Sequence, residues 1–588
     1  MRVNRLSMLM IAYALLFVIL LGRLWYIQVF MEERYKVAAQ ENRIRIHRVK
    51  AARGFIYDRG GSPLAINLPT FGLSFVPASL LRNGYPSVED FLRELSMEVS
   101  IPYDEVCRNY KRRFYSNYWP VMILDNLTLV QVVDLRNWLS SKPFLSLEVD
   151  SRRFYPWGDL FAHILGYTAE ISERELKLYG NRGYRGGDQI GKLGVERVYE
   201  DYLKGLDGYR EIEVDALGRE VSVLKESPPV NGFSLVLNID RHLQKVAYDA
   251  LGENRGCVVV MDPKDGSVLA LVSKPSFDPN TFVWGIDSWE WRDLVGNPDR
   301  PMFNRAVQAE LPPGSLFKVV VALGALSEGV VSPSRRVLCT GSLTVGNREF
   351  KCWREGGHGV VDLYQAIAQS CNIYFYTVGR ELGVGKISSY AKRCGLGIKT
   401  GVDLDSEAEG FIPTAEWKKK KIGEPWYPGD TINFSIGQSY LLVTPIQLAS
   451  LVSAIANGGT FYRPKVAQLL QDEDGNIIER FNPEVYWELS LPKSVIDEVR
   501  KGMRLAVSDG TARALSGEFK AAGKTGSAQN PRGKEHAWFM GFAPYDDPKV
   551  TIVVLVEEGG MGGGVAVPIA KKILDFFFRR YGYGSGKA

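Results

Sequence analysis

The chain has 588 residues, too many for one core, so two or more domains are expected. Its apolar share of 45% and charged share of 24% are ordinary for a globular protein. A net charge of +5 with no long basic run gives no support for nucleic-acid binding, so none is expected.

The N-terminus is the first distinctive element. Leu6 to Gly22 is almost wholly apolar, and the pattern resumes after Arg23 through Phe30. Residues 6–30 are long enough to cross a bilayer. Arg2 and Arg5 precede the span and favour a cytoplasmic tail at residues 1–5. With no convincing small-x-small cleavage site, the reading is an uncleaved signal anchor in the inner (plasma) membrane. The bulk of the chain then lies outside the cytoplasm, which argues against ATP-dependent chemistry.

Glu32 to Asn42 reads as helical. Gly60-Gly61-Ser62-Pro63 marks a turn between short strands. Ser87 to Arg113 and Thr128 to Ser140 carry apolar residues at helix spacing. Phe144 to Tyr155 reads as strand, Val195 to Lys204 as helix, and Tyr209 to Val223 as strand again. Residues 31–230 hold no catalytic constellation. Pro228-Pro229-Val230-Asn231-Gly232 sets the domain boundary, so residues 231–588 form the second domain.

That domain opens with a strand from Ser234, a helix from Arg241 to Leu251, and a hairpin of Cys257–Met261 with Val268–Val272. Ser315-Leu316-Phe317-Lys318 follows Pro312-Pro313-Gly314 and heads an apolar stretch. Ser315 to Ala325 reads as a helix, which puts Ser315 and Lys318 on one face. A serine hydroxyl needs a base beside it, and a lysine of lowered pKa is such a base. Ser370-Cys371-Asn372 comes next, then Lys524-Thr525-Gly526-Ser527. Each motif alone is weak; in this order they are the signature of a serine acyl-enzyme for penicillin-like substrates. Ser370 can relay a proton and Asn372 can hold the substrate amide. Lys524, Thr525 and Ser527 line the substrate's carboxylate end, and Gly526 keeps the strand edge open for it. The N–H groups of Ser315 and Ser527 are the expected oxyanion hole.

Gly523-Lys524-Thr525 also resembles the end of a phosphate-binding loop. That loop needs four residues between its glycines, and Gly517 to Gly523 encloses five. Val550 to Val556 reads as a strand, Gly559 to Gly564 as a mobile loop, and Ile569 to Arg579 as a closing helix. Strands at both ends with helices between fit an α+β layered domain.

Cys339, Cys352, His358 and Cys371 lie between the first motif and the second. Three thiolates and an imidazole can close a tetrahedral zinc set. A Cys339–Cys352 disulfide and free thiols are the alternatives in an oxidising compartment. Because Cys371 sits inside the Ser-x-Asn motif, a metal there would fix Ser370 and Asn372, a structural role.

These motifs resemble those of the class B penicillin-binding proteins, bitopic peptidoglycan D,D-transpeptidases. Thr444-Pro445-Ile446-Gln447 and Trp538-Phe539-Met540-Gly541 strengthen the match, as do Arg53-Gly54 and Gly191-Lys192-Leu193-Gly194-Val195-Glu196 before the boundary. The resemblance implies an α+β fold: a penicillin-binding/serine β-lactamase-like transpeptidase domain, antiparallel sheet packed with helices, behind a transmembrane helix and an elongated α+β pedestal of the dimerisation type. It also implies cross-linking of stem peptides and acylation by β-lactam antibiotics. Cys352-Trp353-Arg354-Glu355-Gly356-Gly357-His358 resembles a segment of the elongation-type enzymes, where a zinc site has been assigned. That implies a role in elongation and rod shape, one structural zinc ion, and a SEDS-type glycosyltransferase with a MreC-type scaffold protein as partners. The chain departs from the family at Gly437-Gln438-Ser439, where Gly-Gln-Gly is usual, and at Ser527, where threonine is usual. The rival readings are a division-type enzyme, a carboxypeptidase or β-lactamase on the same fold, a β-lactam sensor, and an inactive structural partner.

Overall fold

The computed structural model describes residues 5–33, 44–117, 120–214, 220–530 and 533–582. The helix read from Glu32 to Asn42 lies, from residue 34 on, outside the described residues. Two compact units are present. The first comprises Met1–Arg53, Leu68–Arg152 and Gly205–Gly232; the second comprises Gly54–Asn67, Arg153–Lys204 and Phe233–Ala588. Residues 31–230 are therefore shared between the units.

In the first unit, a helix Arg5–Trp25 continues through a π-helical turn, Tyr26–Phe30. Met8–Phe30 is long and apolar enough to cross a membrane, and its side chains are exposed. This one N-terminal helix fits a single-pass anchor. Ile44–Val49 pairs antiparallel with Gly208–Val214, which pairs with Glu220–Ser227. The expected helix 87–113 is two, Val88–Glu98 and Tyr103–Arg113. Ser100 takes φ +55° and Pro102 precedes the second helix, so the chain turns between them. Both helices pack with Leu73, Phe75, Val121 and Ile123 around one apolar core.

The second unit is built on a five-stranded antiparallel sheet. Its order is Val268–Lys274, Gly256–Met261, Val550–Val556, His536–Ala543, Ala522–Ala528. Side chains alternate between its faces. Val258, Val260, Phe539, Ile552 and Val554 meet the helices Arg241–Leu251 and Ala566–Tyr581. Cys257, Val259, Trp538, Met540, Val553 and Leu555 meet the opposite layer, which includes Lys318–Ser327, Asn372–Arg393 and Pro445–Asn457. Burial on both faces explains why these strands read as unbroken apolar runs. Ala522–Ala528, which carries Lys524, is a terminal strand of the sheet and leaves one edge for a ligand.

Candidate active site

The turn that carries Ser315 is held by glycines. Gly314 takes φ +54°, and its N–H donates to Gly437 O at 3.0 Å. A Cβ on Gly314 would lie 2.6 Å from Ser527 O, so only glycine lets this turn press on the edge strand. Trp538 Nε1 donates to Pro312 O at 3.1 Å and pins the entry to the turn. Gly314–Phe317, with Ser315, forms a 3₁₀ turn, and the α-helix begins only at Lys318. The helix expected from Ser315 therefore starts one turn later than its pattern suggests.

Lys318 is fully buried. Its Nζ donates to Ser370 O at 2.8 Å, Ser370 Oγ at 3.2 Å and Asn372 Oδ1 at 2.7 Å. These hydrogen bonds reach the second motif, whereas the sequence spacing points to Ser315. Ser370 can offer both oxygens because it sits in the left-handed region, φ +55°, between helices Leu363–Ala368 and Asn372–Arg393. Burial pushes the Lys318 ammonium down to about 8, opposed by the charge of Cys371 and Cys352. Lys524 is also buried. Desolvation, then the charge of Lys318, hold it well below an ordinary lysine. Its Nζ donates to Thr525 O at 2.9 Å.

The third motif is packed on both sides. A Cβ on Gly526 would lie 2.9 Å from Pro313 O and 3.0 Å from Leu316, so this glycine also seats the strand against the Ser315 turn. Ser527 Oγ accepts from Gly562 N at 3.2 Å. The glycine-rich stretch 559–564 is thus packed on the Lys-Thr-Gly strand, where its composition suggested a mobile loop. A Cβ at Gly562 would lie 2.3 Å from Gly526 O.

The four residues Cys339, Cys352, His358 and Cys371 converge. One ligand atom from each lies within 4.8 Å of the others. His358 Nδ1 is 3.5 Å from both Cys339 Sγ and Cys352 Sγ. The structure forms no sulfur–sulfur bond between Cys339 and Cys352. A hydrogen bond with Cys371 and the backbone N–H groups of Arg354 and Asn372 pull Cys352 down to about 4 against desolvation, while the same contact pushes Cys371 up. A thiolate beside thiols and an imidazole is a donor set of the right chemistry for a soft metal ion. This segment also touches the second motif: Asn372 Nδ2 donates to Lys351 O at 3.3 Å, and Trp353 Nε1 to Gln369 O at 3.0 Å. No sequence signal pointed to those contacts, because their acceptors are backbone carbonyls.

The family model described as penicillin binding protein transpeptidase domain matches residues 256–575, and the penicillin-binding protein dimerisation domain matches 48–237. The chain belongs to the penicillin-binding proteins. This penicillin-binding protein is 35% identical to the peptidoglycan D,D-transpeptidase MrdA of Haemophilus influenzae, over 96% of its own length and 89% of the relative's. Its fold matches penicillin-binding protein 2 of Helicobacter pylori, solved in complex with MreC, with a TM-score of 0.80 and 30% identity over 91% of this chain and 99% of that one. It also matches a chain of a peptidoglycan synthase complex studied for its coordination of polymerization and crosslinking, with a TM-score of 0.72 and 29% identity over 99% of both chains. The penicillin-binding protein is a peptidoglycan D,D-transpeptidase of the elongation type.

Proposed function

We propose that Ser315 is the nucleophile that cross-links peptidoglycan stem peptides in this enzyme. The observation that carries the reading is the buried Lys318, bonded to both Ser370 and Asn372. Ser315 Oγ attacks the penultimate D-Ala carbonyl while its proton passes to neutral Lys318. The N–H groups of Ser315 and Ser527 hold the oxyanion. The Ser370 hydroxyl passes its proton to the leaving nitrogen and takes one back from the Lys318 ammonium, the C–N bond breaks, and the terminal D-Ala departs. An acceptor amine then attacks the ester, gives up its proton along the same path, and restores Ser315. Lys524, Thr525 and Ser527 hold the donor's terminal carboxylate. Asn372, engaged at both ends of its amide, chiefly steadies Lys318.

β-Lactams acylate the same serine. Mass spectrometry after benzylpenicillin treatment is expected to give a stable adduct on Ser315, absent in Ser315→Ala. Rapid destruction of the antibiotic would instead indicate a β-lactamase, and an intact antibiotic without adduct an inactive site.

Cys339, Cys352, His358 and Cys371 would hold one structural zinc ion, supported by their convergence. When bound there, zinc would supply a crosslink that fixes the turn carrying Ser370. Elemental analysis of protein purified without chelator tests it; absence of zinc sinks it.

The anchor places the N-terminus in the cytoplasm and the bulk of the chain outside, as the preceding arginines suggest. Residues 31–230 carry no catalytic group and serve to bind partners. The enzyme works in the membrane with a MreC-type scaffold and a SEDS-type glycosyltransferase, supported by its likeness to the two solved complexes. Co-purification of both partners with the full chain is expected; recovery of neither would reject the assignment.

A further inference from the structure

Thr511 follows the helix Lys493–Asp509 and belongs to none of the three motifs. Three contacts converge on it. Its N–H donates to Ala368 O at 3.1 Å, two residues before Ser370. Its hydroxyl shares a 2.6 Å hydrogen bond with the hydroxyl of Thr525. Its carbonyl oxygen lies 2.7 Å from where a Cβ on Gly563 would stand, in the loop that also holds Ser527. Gly510 makes the approach possible: a Cβ there would lie 2.4 Å from Ala368 O. Thr511 thus joins the Ser-x-Asn turn to the Lys-Thr-Gly strand.

The hydroxyl pair has a direction. Each hydroxyl has one hydrogen to donate and can accept from its neighbour. Thr525 can spend its hydrogen on Thr511 or on a ligand. When an anion docks at the strand edge, the favoured order is Thr511 to Thr525 to anion, because the charge rewards the final donor and polarises the chain behind it. We propose that Thr511 is a positioning residue for substrate recognition: it turns the Thr525 hydrogen outward to the terminal carboxylate of the donor peptide or β-lactam. This rests on the reading above that Thr525 binds that carboxylate.

The test compares acylation rate constants of the full-length enzyme for benzylpenicillin and for its carboxylate methyl ester. Their ratio reports carboxylate recognition; a general loss of active-site order slows both and leaves the ratio alone. Thr511→Val keeps the backbone bond to Ala368 and the side-chain shape but removes the hydroxyl. The ratio is expected to fall about fivefold, the worth of one hydrogen bond between uncharged groups. Thr511→Ser is expected to restore it. Thr511→Ala gives the same readout should the valine variant fail to fold. An unchanged ratio in Thr511→Val, or a parallel loss of both rates, overturns the proposal. Thr525→Val separates the two levels. If it leaves the ratio intact, the carboxylate role of Thr525 is wrong. If it collapses the ratio and Thr511→Val does not, only the role of Thr511 is wrong.

Discussion

Gly437→Ala tests whether the turn that carries Ser315 is set from behind. Gly437 takes φ +74°, a conformation that costs an L-residue about 1–2 kcal/mol. A Cβ there would lie 2.1 Å from Gly314 O and 2.8 Å from Phe317 Cβ, where real contacts do not fall below 3.0 Å. Overpacking of this kind adds about 1–3 kcal/mol, so a total near 3 kcal/mol is expected. Gly423→Ala is the control: φ is +83°, but nothing lies within 4 Å of its added Cβ. It carries only the backbone cost, about 1–2 kcal/mol. The activities should diverge further. Relieving the clash moves Gly314 by about 1 Å, Ser315 is the next residue, and a misplacement of that size costs about 10²-fold in rate. Thermal melts and the time course of benzylpenicillin acylation measure both effects. If Gly437→Ala acylates at the rate of Gly423→Ala, the turn is not positioned by this contact.

Further outcomes are expected at Lys318, at the cysteine cluster and at Glu196. Lys318, pushed down to about 8 by burial, is an ammonium below that pH and cannot take the Ser315 proton, so acylation should rise with pH and level off above it. A stopped-flow profile flat across that region would remove Lys318 as the base. Between about 8 and the unfolded lysine value, the unfolded chain binds the extra proton, so this group's contribution to stability rises with pH. Cys339→Ser should lose zinc, melt lower and acylate more slowly; undiminished zinc by elemental analysis would contradict the ligand set. Holding zinc requires deprotonated thiols, so acidification should release it. Glu196→Gln should destabilise the second unit by about 3–5 kcal/mol, because Arg153 Nε donates to Glu196 Oε1 at 2.6 Å and both side chains are buried. A thermal melt matching wild type would show that this pair is dispensable.

The sequence was most readable where chemistry or burial acts over short range. Serine three residues before lysine is visible in a string of letters, as is the run Val550–Val556, apolar because both its faces are covered. The helix Arg241–Leu251 matched its periodic pattern end to end. Less readable were features that depend on distant backbone. Pro102 is in plain view, yet the turn at Ser100 lies within a stretch whose spacing reads as one long helix. Gly526 read as an open edge, but its neighbours Pro313 O and Leu316 show a packing requirement as well. Gly437 and Thr511 act through carbonyls and a hydroxyl that the fold alone brings near.

Lys318 shows why this limit matters for mechanism. Three residues of spacing suggest a private serine–lysine pair. The ammonium instead places its three hydrogens on Ser370 O, Ser370 Oγ and Asn372 Oδ1. A neutral amine has only two hydrogens and a lone pair. The shorter bonds, to Ser370 O and Asn372 Oδ1, can keep the hydrogens, since both acceptors lack any hydrogen of their own. Ser370 Oγ is the partner that can reverse and donate into the lone pair. Deprotonation of Lys318 therefore reorients the Ser370 hydroxyl without moving a heavy atom. As the Ser370 hydroxyl swings off the lone pair, Lys318 takes the Ser315 proton; Ser370 then gives its hydrogen to the leaving nitrogen and regains one from the Lys318 ammonium. In the mechanism proposed above, the base and the proton relay are thus one coupled unit. Ser370→Ala should accordingly leave Lys318 its two shorter bonds while slowing leaving-group departure, a split that single-turnover kinetics can resolve.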